Sequence, residues 1–322
     1  MSTDDNLNVR IYSEDDFTPW DDFYRSSNQG TFLHTRKFLS YHGSRFLDCS
    51  SLIEENGRIV GLLPAAMHPR QEGVVVSHPG LTYGGILHAG GLIGEKMISA
   101  MRLLMEHYSR MGHKKLVYKA VPTFYHRCPS QDDLYALHRL GSSRTRCDIS
   151  SAIDLKNGFK PSSRRIRCLK KAKKAGVSVK VDKRHLPYLW EVLSENLQKK
   201  HGVSPVHTVE EMNLLMERFP EEIQCVCGSV NGRLVAGVIL FSTMQVDHAQ
   251  YIASNDEGNE VCALDAIFDH CIDKAKMSGK NWFDFGICTE ADGEILNEGL
   301  YQYKSEFGGG GFVHEFYTIN LK

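Results

Sequence analysis

The residues best suited to chemistry lie between Trp282 and Phe312. The short apolar run Asn281–Phe285 contains Asp284 and ends at Gly286. It reads as a buried strand, and an acid inside such a strand must find a partner. Lys304 follows two tyrosines, Tyr301 and Tyr303, and precedes four consecutive glycines, Gly308–Gly311. A fixed ammonium can stabilise negative charge developing on a carbonyl oxygen, or hold a phosphate. The alternative is a surface pairing with Glu298 or Glu306. Asp284 either orients Lys304 or an incoming amine, or simply accepts hydrogen bonds within its strand. His248, in the strand Gln245–Ser254, is either a general base toward an amine or a satisfied core histidine. Two-residue alternation puts His248 and Tyr251 on opposite faces, so only one of them would meet a cleft. Tyr83, Tyr301 and Tyr303 line an acceptor pocket or are plain packing.

The densest charge runs from Lys160 to Arg184, with eleven Lys/Arg against Asp182 alone. Like charges at this density weaken a helix, so an anion should compensate. Arg164, Arg165 and Arg167 offer planar forks suited to two phosphate oxygens at once. In the alternative, Ile166, Leu169 and Ala172 face the core and the lysines are a solvated face.

Composition bounds the rest. A chain of 322 residues suits two domains. The net charge of −1 provides no global field for nucleic acid, so such a role would need a local patch. No apolar run reaches the length of a membrane span, and the acidic start MSTDDNLNVR is unlike a signal peptide. The nine cysteines are odd in number, scattered and without CxxC. They read as reduced thiols in a cytoplasm, with no disulfide framework or structural zinc. Cys225 and Cys227 read as packing residues. The histidines lack ligand spacing, so no metal is expected. No Ser/His/Asp order, HExxH or GxxxxGK[ST] occurs.

The elements that must position these residues appear twice. Asn56-Gly57-Arg58 recurs as Asn231-Gly232-Arg233, a shift of 231 − 56 = 175. The stretch Gly112–Tyr118 recurs as Gly279–Phe285, a shift of 279 − 112 = 167. Between each pair lies an amphipathic helix, near 94–111 and 261–277. A hairpin, a long helix and a following strand therefore occur in one order at similar spacing, which reads as an internal duplication of an α/β unit. Capping boxes are expected at Ser13/Asp16 and Thr208/Glu211.

The ending of strand, Asp-x-Gly, aromatic-x-aromatic-Lys and Phe-Gly resembles the FemAB-like branch of the GNAT acyltransferase superfamily. Ser163–Gly176 is similar to that family's basic motif, Arg-x-x-Ile/Leu-x-x-Ala-x-x-x-Gly, and Phe32–Phe38 resembles its first-domain aromatic motif. The resemblance implies an α/β (α+β) chain of two tandem GNAT-like domains, 1–156 and 157–322, the second opening with a basic helix at 162–175. Each would be a mixed, mostly antiparallel sheet flanked by helices. It implies transfer of an acyl or aminoacyl group to an amine by direct attack, in cell-envelope or polysaccharide metabolism. Lys304, Asp284 and His248 would be catalytic. Arg164, Arg165, Arg167, Tyr251, Tyr301, Tyr303, Tyr83 and Arg36 would bind substrate. The donor would be an acyl-CoA or an aminoacyl-tRNA, and the acceptor a small-molecule or peptide amine.

Two departures qualify this expectation. No long charged heptad hairpin lies between Lys183 and Glu211, which favours shorter acyltransferases over the cell-wall ligases. The turn Asn255–Glu260 has one glycine and three acids where acetyl-CoA-dependent members carry Gln/Arg-x-x-Gly-x-Gly/Ala. The other readings are an aminoacyl-tRNA-dependent peptidyltransferase, with the basic helix on phosphates, and a non-catalytic binding module on the same fold.

Overall fold

The computed structural model describes residues 6–321, with 200 and 201 described by their backbone alone. The chain forms two compact units. Unit 1 runs to Ile149 and adds Glu290–Ile295 and the chain from Val313 onward; unit 2 is Ser150–Thr289 with Leu296–Phe312. The turn signal Asn157-Gly158 suggested a single division at 156/157. Instead the strand Ser143–Asp154 passes through the division. The chain rejoins unit 1 near its end because Phe316–Asn320 pairs antiparallel with Lys115–Lys119. Among the described residues no helix is long and apolar enough to cross a membrane.

Unit 2 is built on six strands in the order Ser150–Asp154, Trp282–Ile287, Val246–Ser254, Arg233–Ser242, Ile223–Val230 and Ser178–Val181. Neighbours are antiparallel except for one pair, Val246–Ser254 with Trp282–Ile287, which is parallel. Asn231 and Gly232 both take positive φ, 49° and 78°, the turn geometry that follows the natural twist of two strands. The helix Ala263–Met277 lays Ile267, Phe268, Cys271 and Ile272 against Val226, Val238, Leu240, Phe283 and Phe285. This apolar stripe repeats at three and four residues, as a helix with one buried face must. The helix Leu186–His201 covers the other face: a Cβ at Gly237 would lie 2.8 Å from Leu189, whereas one at Gly228 would lie 3.0 Å from Ile267.

Unit 1 repeats the plan. Asn56 and Gly57 turn with φ of 51° and 73°. Val74–Val76 runs parallel to Lys115–Lys119 over three residue pairs. The helix Glu95–Arg110 buries Met97, Met101, Leu104 and Tyr108. Its strands form two groups, Leu7–Ile11, Ser51–Glu55, Arg58–Leu63 and Leu87–His88 in one, and Ala66–Met67, Val74–Val76, Lys115–Lys119 and the C-terminal strand in the other. The basic helix spans Ser163–Lys174, and the Ser162 side chain caps it by accepting from the Arg165 amide. The glycine run allows close backbone approach, as its composition implies: a Cβ at Gly308 would lie 3.0 Å from the Lys160 nitrogen, and one at Gly309 2.9 Å from the Ala152 oxygen.

Candidate active site

The parallel pair of strands in unit 2 ends early. Val246, Asp247 and His248 face Trp282, Phe283 and Asp284, and there the pairing stops. Beyond that point one strand stays with Arg233–Ser242, while the other pairs Ile287 with Ser150. A β-bulge falls at the same place, where Leu240 opposes Ala249 but Ile239 opposes Tyr251. Gln250 is the extra residue, and it resets the alternation. His248, opposite Phe241, and Tyr251, opposite Ile239, therefore share one face. The expectation of opposite faces is corrected by this single inserted residue.

The three residues expected to be catalytic meet around Gly286. Asp284 is fully buried; its Oδ2 accepts from His248 Nδ1 at 2.7 Å, and its Oδ1 accepts the Gly286 amide at 3.1 Å. Lys304 lies on the helix Glu298–Ser305, whose first turn is capped by the side chain of Asn297. Its Nζ donates to the carbonyl oxygens of Gly286 (2.9 Å) and Ile287 (2.8 Å). Gly286 has φ of 78°, and a Cβ there would sit 3.3 Å from His248 Cε1. Lys304 is thus buried on backbone carbonyls, and the surface pairing with Glu298 or Glu306 does not occur. Burial lowers the pKa of its ammonium, opposed by the nearby Cys288 and Asp284. The Asp284 carboxylate thus bonds His248 and the Gly286 amide, and reaches Lys304 through its charge.

Lys304 opens onto a cleft of about 1040 Å³ in unit 2. One wall is Leu193 and Asn196 of the helix Leu186–His201; the other is Cys262 and Asp265 at the start of the helix Ala263–Met277. Ile252 and Ser254 lie between them, and Arg164, Arg165, Cys168 and Tyr303 complete the lining. From the two strands the cleft takes only Ile252 and Ser254, beyond the point where they part, and of the three expected catalytic residues Lys304 alone is on its lining.

The arginines divide. Arg165 is buried, with Nη1 at 3.0 Å from Asp265 and Nε at 3.1 Å from Glu306, and its guanidinium lies 4.6 Å over the Tyr303 ring. It is engaged by the protein's own acids. Burial pushes the Asp265 carboxyl up to about 6, against the pull of Arg165. Arg164 is exposed in the cleft and 3.9 Å from Glu306. Arg167 is exposed outside the lining. Along the basic helix only Arg165 and Ala172 are buried, so Ile166 does not face the core.

The tyrosines divide as well. Tyr303 lines the cleft and Tyr301 does not. Tyr251 lies outside it, with its hydroxyl 2.5 Å from His207 Nδ1 and its ring edge-on to Trp190. Tyr83 and Arg36 are buried in unit 1. Tyr83 donates to Thr31, and Arg36 pairs with Asp48 and Ser50 and stacks 3.6 Å over Tyr12. Neither belongs to this cleft.

The turn after Ser254 is a short helix, Asp256–Glu260. The Asn255 side chain accepts the Gly258 amide at 2.8 Å, so that amide is engaged within the turn. Gly258 packs tightly, and a Cβ there would lie 2.3 Å from the Val235 oxygen. The glycine serves close packing of backbone on backbone.

Sequence reasoning missed Asn196, Cys168, Cys262 and Asp265 as lining residues. The helix carrying Asn196 had a signal in Leu186, Leu189, Trp190 and Leu193, spaced by three, one and three. The convergence of residues 168, 262 and 265 has no local signal at all.

Residues 162–305 match the family described as acetyltransferase (GNAT) domain. Among solved structures, FemX superposes with a TM-score of 0.69 at 12% identity, covering 98% of this chain and 97% of FemX. L-PGS from Bacillus licheniformis gives 0.61 at 12% identity, covering 95% of this chain and 91% of that one. A tandem GNAT protein from the clavulanic acid biosynthesis pathway gives 0.53 at 10% identity, covering 98% and 99%. No curated protein matches the chain.

Proposed function

The chain has the FemAB-like GNAT acyltransferase fold, with a GNAT domain over 162–305, and from that premise we propose that it transfers an acyl or aminoacyl group to an amine by direct aminolysis. The observation that carries this reading is the meeting of Lys304, His248 and Asp284 on Gly286, where the strands separate. The Asp284 carboxylate accepts from Nδ1–H of His248, which leaves Nε2 as the basic nitrogen. That nitrogen takes the proton of the attacking amine as the new N–C bond forms. The bond from the carbonyl carbon to the carrier's oxygen or sulfur breaks, and the carrier leaves with the electron pair. Lys304 spends two of its three donors on backbone carbonyls. The third lies beside the Cys288 thiol, a weak partner that the developing oxyanion displaces, and the buried, tethered ammonium needs little reorganisation to meet it.

The donor carries phosphate in this reading. Exposed Arg164 and Lys199 on the cleft lining supply its counter-charges. The turn at 255–260 takes little part, because its Gly258 amide is capped from within. A second reading rests on the basic helix. Arg164, Arg167, Lys170, Lys171, Lys173 and Lys174 are all exposed on it, which suits the backbone of an aminoacyl-tRNA donor. The acceptor is a small-molecule or peptide amine, of the kind found in cell-envelope or polysaccharide precursors.

Thermal shift with acetyl-CoA, a long-chain acyl-CoA and charged tRNA separates these readings. A ligand at a hundred times its Kd adds about 2.7 kcal/mol of stability. Stabilisation by a CoA ester that disappears in Arg164→Ala supports the acyl-CoA donor. Stabilisation by charged tRNA alone supports the second reading. Stabilisation by none of the three rejects both and leaves a non-catalytic binding module.

A further inference from the structure

Beside the proposed reaction centre, Cys168 of the basic helix, Cys262 and Asp265 bring one ligand atom each within 4.8 Å of one another. We propose that they form a binding site for a thiophilic divalent cation, zinc being the biological case. Three observations converge on it. The first is the ligand set. Two sulfurs and one carboxylate oxygen are the donors such a cation takes, and three protein ligands with one open position is the arrangement of a reactive site rather than a closed structural one. With Zn–S bonds of about 2.3 Å, tetrahedral sulfurs sit about 3.8 Å apart. A sulfur and an oxygen sit about 3.5 Å apart, so the three atoms need to close by no more than about 1.3 Å.

The second observation is how the ligands are held. Cys262 has φ of 60°, a left-handed conformation that a cysteine adopts only when its surroundings impose it. It is the residue before the helix Ala263–Met277, and Asp265 lies in that helix's first turn. Asp265 is held in turn by Arg165, whose Nη1 donates to both carboxylate oxygens at 3.0 and 3.2 Å. Each oxygen keeps a lone pair, and metal-binding carboxylates are characteristically oriented by such an outer partner. The charges also balance. Two thiolates, Asp265 and the neighbouring Glu306 carry four negative charges, and a divalent cation with Arg165 and Arg164 supplies four positive ones.

The third observation is location. All three residues line the cleft together with Tyr303 and Lys304, so the fourth coordination position faces the cleft. A nitrogen, sulfur or water-derived oxygen of a bound molecule would occupy it.

The test uses the full chain, reduced and stripped with a chelator. Zn2+ is titrated in competition with a chromophoric chelator, and Co2+ is used to read sulfur-to-cobalt absorption. One equivalent of Zn2+ should bind, and the cobalt form should show thiolate charge transfer and tetrahedral bands. Cys168→Ser and Cys262→Ser should each weaken binding by about a hundredfold or more, beyond the roughly 10–100-fold typical for loss of an outer partner. The double variant should lose both signals, while Cys128→Ser, exposed in unit 1, should keep them. Circular dichroism checks that each variant is folded. Zn2+ binding unchanged in the double variant overturns the proposal. So does the absence of a sulfur–cobalt band in the wild-type chain, or a 168–262 disulfide that persists in reductant and admits no metal.

Discussion

Lys304→Met separates the structural and chemical duties of the buried lysine. Methionine keeps the length and most of the apolar stem but removes the ammonium. Two acceptors then lose their donor, the carbonyls of Gly286 and Ile287. Gly286 is buried, whereas Ile287 is 40% exposed and its carbonyl can turn to water. One orphaned buried carbonyl costs about 1–3 kcal/mol. The variant also escapes the cost of burying a charge, the same effect that lowers the lysine's pKa. The expected net loss at pH 7 is about 1–2 kcal/mol, or roughly 2–8 °C in Tm for a unit of this size. Lys304→Ala is the poorer test. It deletes three further buried methylenes at about 0.8 kcal/mol each, and a fall in activity would then mix with a fall in stability.

The pH dependence gives the sign. A lysine whose folded pKa lies below its unfolded value gives up its proton in the folded state first. The wild-type chain therefore gains stability as pH rises from the folded pKa toward the unfolded value near 10.4. Below that window the folded state carries the full cost of the buried ammonium. The methionine variant has no such gain, so the stability gap should widen as pH rises. Urea unfolding at three pH values between 7 and 10 measures it. A gap that stays constant or narrows would mean a solvated ammonium and would refute the argument. With the donor identified by thermal shift, the same variant should lose about 10²–10³ in kcat, the usual consequence of removing one oxyanion donor. Turnover within a few-fold of wild type would make Lys304 a strut for the Gly286 turn and nothing more.

Gly286→Ala should cost about 1–2 kcal/mol from its left-handed backbone alone, and its methyl would press on His248 at 3.3 Å; an unchanged Tm would contradict the observed turn. Arg165→Ala strands Asp265, and breaking a buried pair costs about 3–5 kcal/mol. The carboxyl already titrates at about 6, above its usual range, so the stability it contributes is present at low pH and is lost as pH rises through that value. The Arg165→Ala loss should therefore be largest at pH 7.5 and smaller at pH 5, and a loss independent of pH would rule out Asp265 as the stranded partner. Gly258→Ala places a methyl 2.3 Å from the Val235 oxygen and should lower Tm by several degrees; tolerance would show that the turn can shift.

Local signals were the most legible. The Asn-Gly turns, the capping boxes at Ser13/Asp16 and Thr208/Glu211 and the long helices all stand where residue chemistry puts them. Each depends on neighbours a few residues apart. The site was legible in composition but not in partners. His248 and Asp284 were each suspect, yet their pairing depends on a register match across a parallel pair. The shared face of His248 and Tyr251 hangs on Gln250, and nothing in the run VDHAQYIAS marks it as a bulge. Lys304 meets backbone carbonyls, which every residue owns, so no sequence pattern points to them. Cys168 and Cys262 are 262 − 168 = 94 residues apart and meet only because two helices pack together.

The repeat explains why one unit alone is the candidate for chemistry. The parallel pairs match position for position: Val76 faces Val117 in unit 1 where His248 faces Asp284 in unit 2. Two valines cannot form a base and its orienting acid, so the first unit lacks the dyad at its equivalent place. Two residues further on, Lys119 stands where unit 2 has Gly286. Its buried ammonium, brought down to about 7 by burial, bonds the carbonyls of His78 and Leu81 within unit 1. The glycine that lets His248, Asp284 and Lys304 meet in unit 2 is thus a large, internally satisfied side chain in unit 1. The same backbone plan carries a buried His–Asp pair beside a lysine in one unit and a filled core in the other, and the difference comes down to what stands at three matched positions.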